Sequence, residues 1–198
     1  MSTVPRVPSA VPGQPATLGT ALAHCPDLAC AFGRLYGTLW SDGIVPQAIK
    51  ETARMRNARV TDCGFCKNVR FDGATADGLD EAQVELIHDG YEDSTLSDRQ
   101  KVVLRWTDAY LTVPGHVDPA LRADLAVHFD EAEIVELTLA LAMFLGMAKV
   151  LISLGTEPEQ MDVTVVPTPA LRSPATQAVA GHSLAGARSL ASSRSLTQ

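Results

Sequence analysis

Cys63-Gly64-Phe65-Cys66 is the stretch of this chain whose residue types and spacing can do chemistry. Residues three apart share a helix face, so two sulfurs at this spacing can meet. Asp62, directly before them, is a candidate helix N-cap, because its carboxylate can accept from the free backbone N–H groups of a first turn. Cys63 would then hold the first helical position, where the positive end of the helix dipole favours thiolate over thiol. Lys67 and Arg70 add positive charge nearby. In such surroundings a cysteine pKa of ~8.5 falls to roughly 3.5–7.5, which makes a nucleophile at neutral pH.

Three readings of the pair compete on local grounds: a redox dithiol, half of a zinc site, or two buried thiols with no role. Zinc needs four ligands. Cys25 and Cys30 are the remaining cysteines, but positions five apart on a helix diverge by about 140°. The histidines, at positions 24, 88, 116, 128 and 182, form no ligand pair. No metal is expected. Cys25 and Cys30 read as core packing, since free cysteine is among the most buried residue types. Glu51 lies upstream between Lys50 and Arg54. Taken alone, that setting marks the solvated face of an amphipathic helix.

The elements that must position these groups read as helices. Leu18 to Trp40 is helical with a break at Cys25-Pro26. A helix runs from Pro46 to about Ala58, and the cysteine helix from Asp62 to about Ala76. Asp80 with Gln83, Ser97 with Gln100, and Asp130 with Glu133 have capping-box spacing. Each opens a further helix, and Asp118-Pro119 starts another through His128. From Leu137 to Ala148 only Thr138 is polar. A membrane span needs about 20 predominantly apolar residues, and Glu136, Lys149 and Ser153 interrupt one here. This helix is expected to be the buried centre of a bundle or a subunit interface. Residues 161–169 are Val/Thr/Pro-rich and predicted to be extended. From Arg172 onward no apolar periodicity remains, which predicts disorder.

The length fits one domain with a real core. We divide it into an extended Pro-rich arm (1–17) able to reach a neighbouring subunit, an all-helical domain (18–155), and an extended then disordered tail (156–198). The net charge is −7. Residues 170–198 carry three arginines and no acid, so the body is more acidic than the total. An acidic body without a basic stripe excludes nucleic acid as the expected partner. The N-terminus lacks a charged-then-apolar signal pattern. The cytoplasm is the expected compartment, where a CxxC is more often catalytic or metal-binding than structural.

Glu51, twelve residues before Cys63-x-x-Cys66, within an alanine-rich helical chain, resembles the alkylhydroperoxidase D and carboxymuconolactone decarboxylase family. Glu133-Ile134-Val135-Glu136-Leu137-Thr138-Leu139 is similar to that family's helix after the active site. The likeness spans about Val45 to Leu154. It implies an all-α, AhpD-like bundle assembled into trimers or hexamers, and the expected activity is thiol-dependent reduction of a hydroperoxide or a disulfide with an external dithiol as electron donor. By the resemblance, Cys66 attacks the peroxide, Cys63 resolves the intermediate, and Glu51 handles protons. The redox branch carries a histidine four residues after the second cysteine; here that position is Arg70. Arginine is effectively always charged, so Arg70 is read as a fixed charge over the sulfur. No flavin or nicotinamide motif is present, and no cofactor is expected. Two alternatives remain: a decarboxylase acting on a carboxylate-bearing lactone, with Arg70 as clamp, and a non-catalytic redox-sensing oligomer.

Overall fold

A computed structural model of the chain describes residues 4–158 and 160–170. The predicted disorder beyond Arg172 lies outside the described residues. In chain order the elements are α1 (Leu18–Leu22), α2 (Pro26–Ser41), α3 (Gln47–Val60), α4 (Gly64–Asn68), β1 (Val69–Phe71), α5 (Asp72–Ala76), α6 (Glu81–Glu85), a 3-10 turn (Tyr91–Asp93), α7 (Asp98–Thr112), α8 (Pro119–His128), α9 (Glu131–Leu154) and β2 (Thr164–Val166). The class is all-α. The three capping boxes form as their spacing dictates, at Asp80, Ser97 and Asp130.

The bundle is organised around α3, whose residues Ile49 to Ala58 are all buried. Packed on it are α7, α9 and α5. One face of α9 enters the core through Leu137, Ala140, Leu141, Phe144, Ala148 and Leu151. The first four of these meet Trp40, Ile49, Ala53, Val102 and Val103, and Ala148 and Leu151 pack against Cys63. The opposite face of α9 leaves Val135 and Leu139 each 59% exposed. By length and composition α9 is apolar enough to cross a membrane, yet a third of its most apolar window (33%) is buried inside the bundle. It lines the core on one side only, so it is not the buried centre the sequence predicts.

That centre is α3, and it is polar. Lys50, Glu51, Thr52, Arg54, Arg56 and Asn57 are all buried. A buried charge is tolerated only when paired and hydrogen-bonded. Lys50 donates to the Leu39 carbonyl at 2.7 Å and pairs with Glu136 at 3.3 Å. Burial lowers the Lys50 pKa, and Glu136 opposes that shift. Arg56 holds Asp108 at 2.6 Å and Asp89 at 2.8 Å.

The helix predicted from Asp62 to about Ala76 is broken at Asn68. Val69, Arg70 and Phe71 leave it to form β1, which pairs in parallel with β2 in the register Arg70↔Val165. β-branched and aromatic residues with a strand partner favour that outcome over continued helix. β2 lies within the segment predicted to be extended.

One further expectation is corrected here. Cys25 and Cys30 are exposed, not core residues. The first half of α2 is largely exposed, and its buried positions start only at Gly37. The N-terminal arm is anchored at Arg6 to the end of α9. Arg6 donates its backbone N–H to Leu154 O at 2.8 Å, and its guanidinium to the carbonyls of Ile152 (2.8 Å) and Ser153 (2.7 Å). The unpaired carbonyls at a helix C-terminus attract such a cation.

Candidate functional site

After α3 the chain reverses at Asp62, which adopts φ 54°. Asp62 is therefore in the left-handed region and not in the extended backbone of an N-cap. Its carboxylate binds Lys67 at 2.5 Å, which holds the Asp62 pKa below the usual carboxylate range. The N-cap of α4 is Cys63 itself, whose sulfur accepts the Cys66 N–H at 3.2 Å. Cys63 and Cys66 are joined in a disulfide with Cα atoms 5.2 Å apart. Cys63 is fully buried, and Cys66 is partly exposed.

Residues after α9 strap the cysteine turn in place. Glu157 accepts the Gly64 N–H at 2.6 Å, at the start of α4. β2 then pairs with β1, just beyond the end of α4. Finally Thr168 accepts the Gly73 N–H and donates its own N–H to Asp72, both at 2.8 Å.

Glu51 is buried, 1% exposed, and not on a solvated face. It forms a two-pronged pair with Arg54, Nε to Oε2 at 2.7 Å and Nη2 to Oε1 at 2.6 Å. Phe71 N–H adds a longer bond at 3.4 Å. The same guanidinium donates to the carbonyl of Cys66 at 2.8 Å and to that of Val69 at 2.7 Å. Burial works against the Arg54 charge, but the Glu51 carboxylate outweighs it and raises the arginine pKa above its ordinary value. Arg54 thus ties the predicted acid–base residue to the backbone of the predicted nucleophile.

Arg70 does not lie over the Cys66 sulfur on a shared helix face, because α4 ends two residues before it. Its side chain is 7% exposed, and its guanidinium is bound to Glu81 at 2.7 Å. It also donates to the carbonyls of Lys67 (2.7 Å) and Val69 (3.0 Å). Arg70 fixes the exit from α4.

Two cavities divide these groups. One, of about 160 Å³, is bordered by Glu51, Arg70, Glu81, Val163 and the β2 residue Val165. The other, of about 140 Å³, holds Cys66 with Tyr36, Arg54, Asn57, Phe65 and Phe144 among its walls. Phe71 borders both. Burial pushes the Tyr36 phenol up to about 12, against the pull of Arg54, so it stays protonated at neutral pH and can donate a hydrogen bond as well as accept one. Arg54, Asn57 and Tyr36 are the site residues that the sequence reading missed. Only Arg54 carried a signal, its i,i+3 spacing from Glu51, at which opposite charges pair. Among the described residues no three His, Cys, Asp or Glu side chains converge as a metal site would require.

No family model matches the chain. Two curated relatives, uncharacterized proteins of Mycobacterium tuberculosis strains CDC 1551 and H37Rv, are each 32% identical over 108 residues. That stretch is 54% of this chain and 37% of each relative, so the chain spans well under half their length. A crystal structure from Agrobacterium tumefaciens superposes with a TM-score of 0.61 at 20% identity, covering 73% of this chain and 100% of that one. That protein is described as of unknown function, and as a candidate antioxidant defence protein AhpD. At this identity the likeness establishes the fold, which is AhpD-like.

Proposed function

We propose that this AhpD-like chain is a thiol-dependent oxidoreductase that reduces an organic hydroperoxide through Cys63 and Cys66. The observation that carries the reading is the disulfide between a buried Cys63 and a Cys66 that borders an apolar cavity. In the reduced protein the Cys66 thiolate attacks the terminal oxygen of the hydroperoxide. An S–O bond forms, the O–O bond breaks, and the alkoxide takes a proton from solvent to leave as an alcohol. Cys63 sulfur then attacks Cys66 sulfur, closing the disulfide and releasing water. An external dithiol reduces the pair and completes the cycle.

Glu51 acts through Arg54 in this scheme. It holds the guanidinium that fixes the Cys66 and Val69 carbonyls, and is a positioning residue. The lactone reading loses its clamp, since Arg70 is bound to Glu81 and Arg54 to Glu51. The fluorescent or colorimetric thiol count is the direct test. Fully reduced protein has four thiols. One equivalent of cumene hydroperoxide should remove the Cys63 and Cys66 thiols and leave Cys25 and Cys30. Continued peroxide consumption with excess dithiothreitol should follow. An unchanged thiol count would overturn the reading.

We further propose a homo-oligomer, a trimer or hexamer. Val135 and Leu139 on α9 are joined as exposed apolar residues by Leu28 (70%) and Leu35 (56%) on α2. Light scattering at micromolar concentration should give a mass at least three times that of the chain, and Leu139→Glu should lower it. A wild-type monomer would sink the idea.

A further inference from the structure

The Cys66 cavity contains two polar side chains that the steps above leave idle, Tyr36 and Asn57, and the Asn57 amide oxygen is the one left buried without a partner. Asn57 sits on α3, three residues past Arg54, and is 1% exposed. Its backbone carbonyl is satisfied by Thr61, from N at 2.9 Å and Oγ1 at 2.7 Å. Its side-chain amide oxygen is buried and has no hydrogen-bond partner among the described residues. Leaving a buried acceptor unmade is costly, so native structures rarely keep one without reason. The surrounding wall offers little relief. Phe65, Phe144, Met147 and Leu151 are apolar, and Arg54 is committed to Glu51 and two carbonyls.

We propose that Asn57 is the acceptor for the O–H of a hydroperoxide bound at Cys66, and that it selects hydroperoxides over disulfides as the oxidant. The inference rests on the reading that Cys66 reduces a hydroperoxide. In R–O–O–H the terminal oxygen is both the hydrogen-bond donor and the atom the thiolate must strike. An acceptor beside the sulfur therefore binds and aims the reacting oxygen together. A disulfide has no O–H and cannot satisfy Asn57, and a site with an unmade hydrogen bond disfavours such a ligand. The electron flow is unchanged. Cys66 sulfur gains the O–H oxygen, the O–O bond breaks, and the alkoxide is protonated from solvent. The Asn57 amide gains and loses no proton.

The test uses full-length protein with Cys25→Ser and Cys30→Ser, so that only the active pair reports. Prereduced samples are mixed in stopped flow with cumene hydroperoxide, and separately with 4,4′-dithiodipyridine, a disulfide without an O–H. Asn57→Leu is expected to slow the hydroperoxide reaction about tenfold, the scale of one lost hydrogen bond to substrate. It should not slow the dithiodipyridine reaction, and loss of the unmade acceptor should quicken it. Asn57→Ser, which keeps a shorter acceptor, should fall between, and it decides the matter if the Leu variant does not fold. Two rates that fall together, or a rate ratio equal to wild type in the Ser variant, overturn the role of Asn57 alone. A wild-type protein that reacts with dithiodipyridine but not with the hydroperoxide overturns the proposed function and this inference with it.

Discussion

Cys66→Ser will bring dithiol-dependent peroxide consumption down to the uncatalysed background, a loss on the order of 10³-fold or more, because a serine hydroxyl at neutral pH offers almost no anionic nucleophile. Cys63→Ser will fail differently. Its Cys66 can still react once, so one equivalent of peroxide should yield a sulfenic acid, trapped by dimedone at Cys66, with no closure of the disulfide. The two variants therefore separate attacker from resolver. Exposure argues for Cys66 in the first role, since Cys63 is sealed in a cluster with Ala148 and Leu151. The helix-dipole argument favours Cys63, but α4 is only five residues long and Cys63 is its cap. Dimedone labelling of Cys63 in a Cys66→Ser protein that still consumed its first equivalent of peroxide would reverse the assignment.

Arg54→Ala should be the most destabilising single change at the site. It leaves the Glu51 carboxylate buried and uncompensated, a situation that costs about 3–5 kcal/mol. It also frees the carbonyls of Cys66 and Val69. Denaturant unfolding of the oxidised protein measures the effect. Arg54→Lys should recover only part of the loss, because one ammonium cannot reproduce a guanidinium that bridges a carboxylate and two carbonyls. Adding Glu51→Gln to Arg54→Ala should restore stability relative to Arg54→Ala alone, a coupling that a double-mutant cycle reads directly. A loss under about 1 kcal/mol, the size of a surface ion pair, would mean that water reaches the pair.

Much of this architecture was legible from local signals. Three capping boxes and the break at Pro26 needed only nearest neighbours. The cysteine pair was legible for the same reason. The polarity of α3 was misread because its compensating charges lie far away in sequence: Glu136 is 86 residues from Lys50, and Asp108 is 52 from Arg56. A charged residue without a visible partner reads as solvated. Arg70 was misplaced because the strand that ends α4 is stabilised by Thr164–Val166, and no local feature of residues 63–76 announces that pairing. Asn57 could not have been singled out at all, since an unmade hydrogen bond is a property of surroundings and not of spacing.

The strap has a consequence for synthesis. Glu157 meets Gly64 across 93 residues, and Thr168 meets Gly73 across 95. A ribosome adding roughly 5–20 residues per second needs on the order of 5–20 s to travel that distance. Throughout that interval all four cysteines of the nascent chain have been made, and the segment that closes over the active turn has not. On the nascent chain, closeness in sequence is therefore what favours Cys63 for Cys66 over Cys25 or Cys30. The strap adds its hold only in the finished protein, where it is in place each time the pair closes.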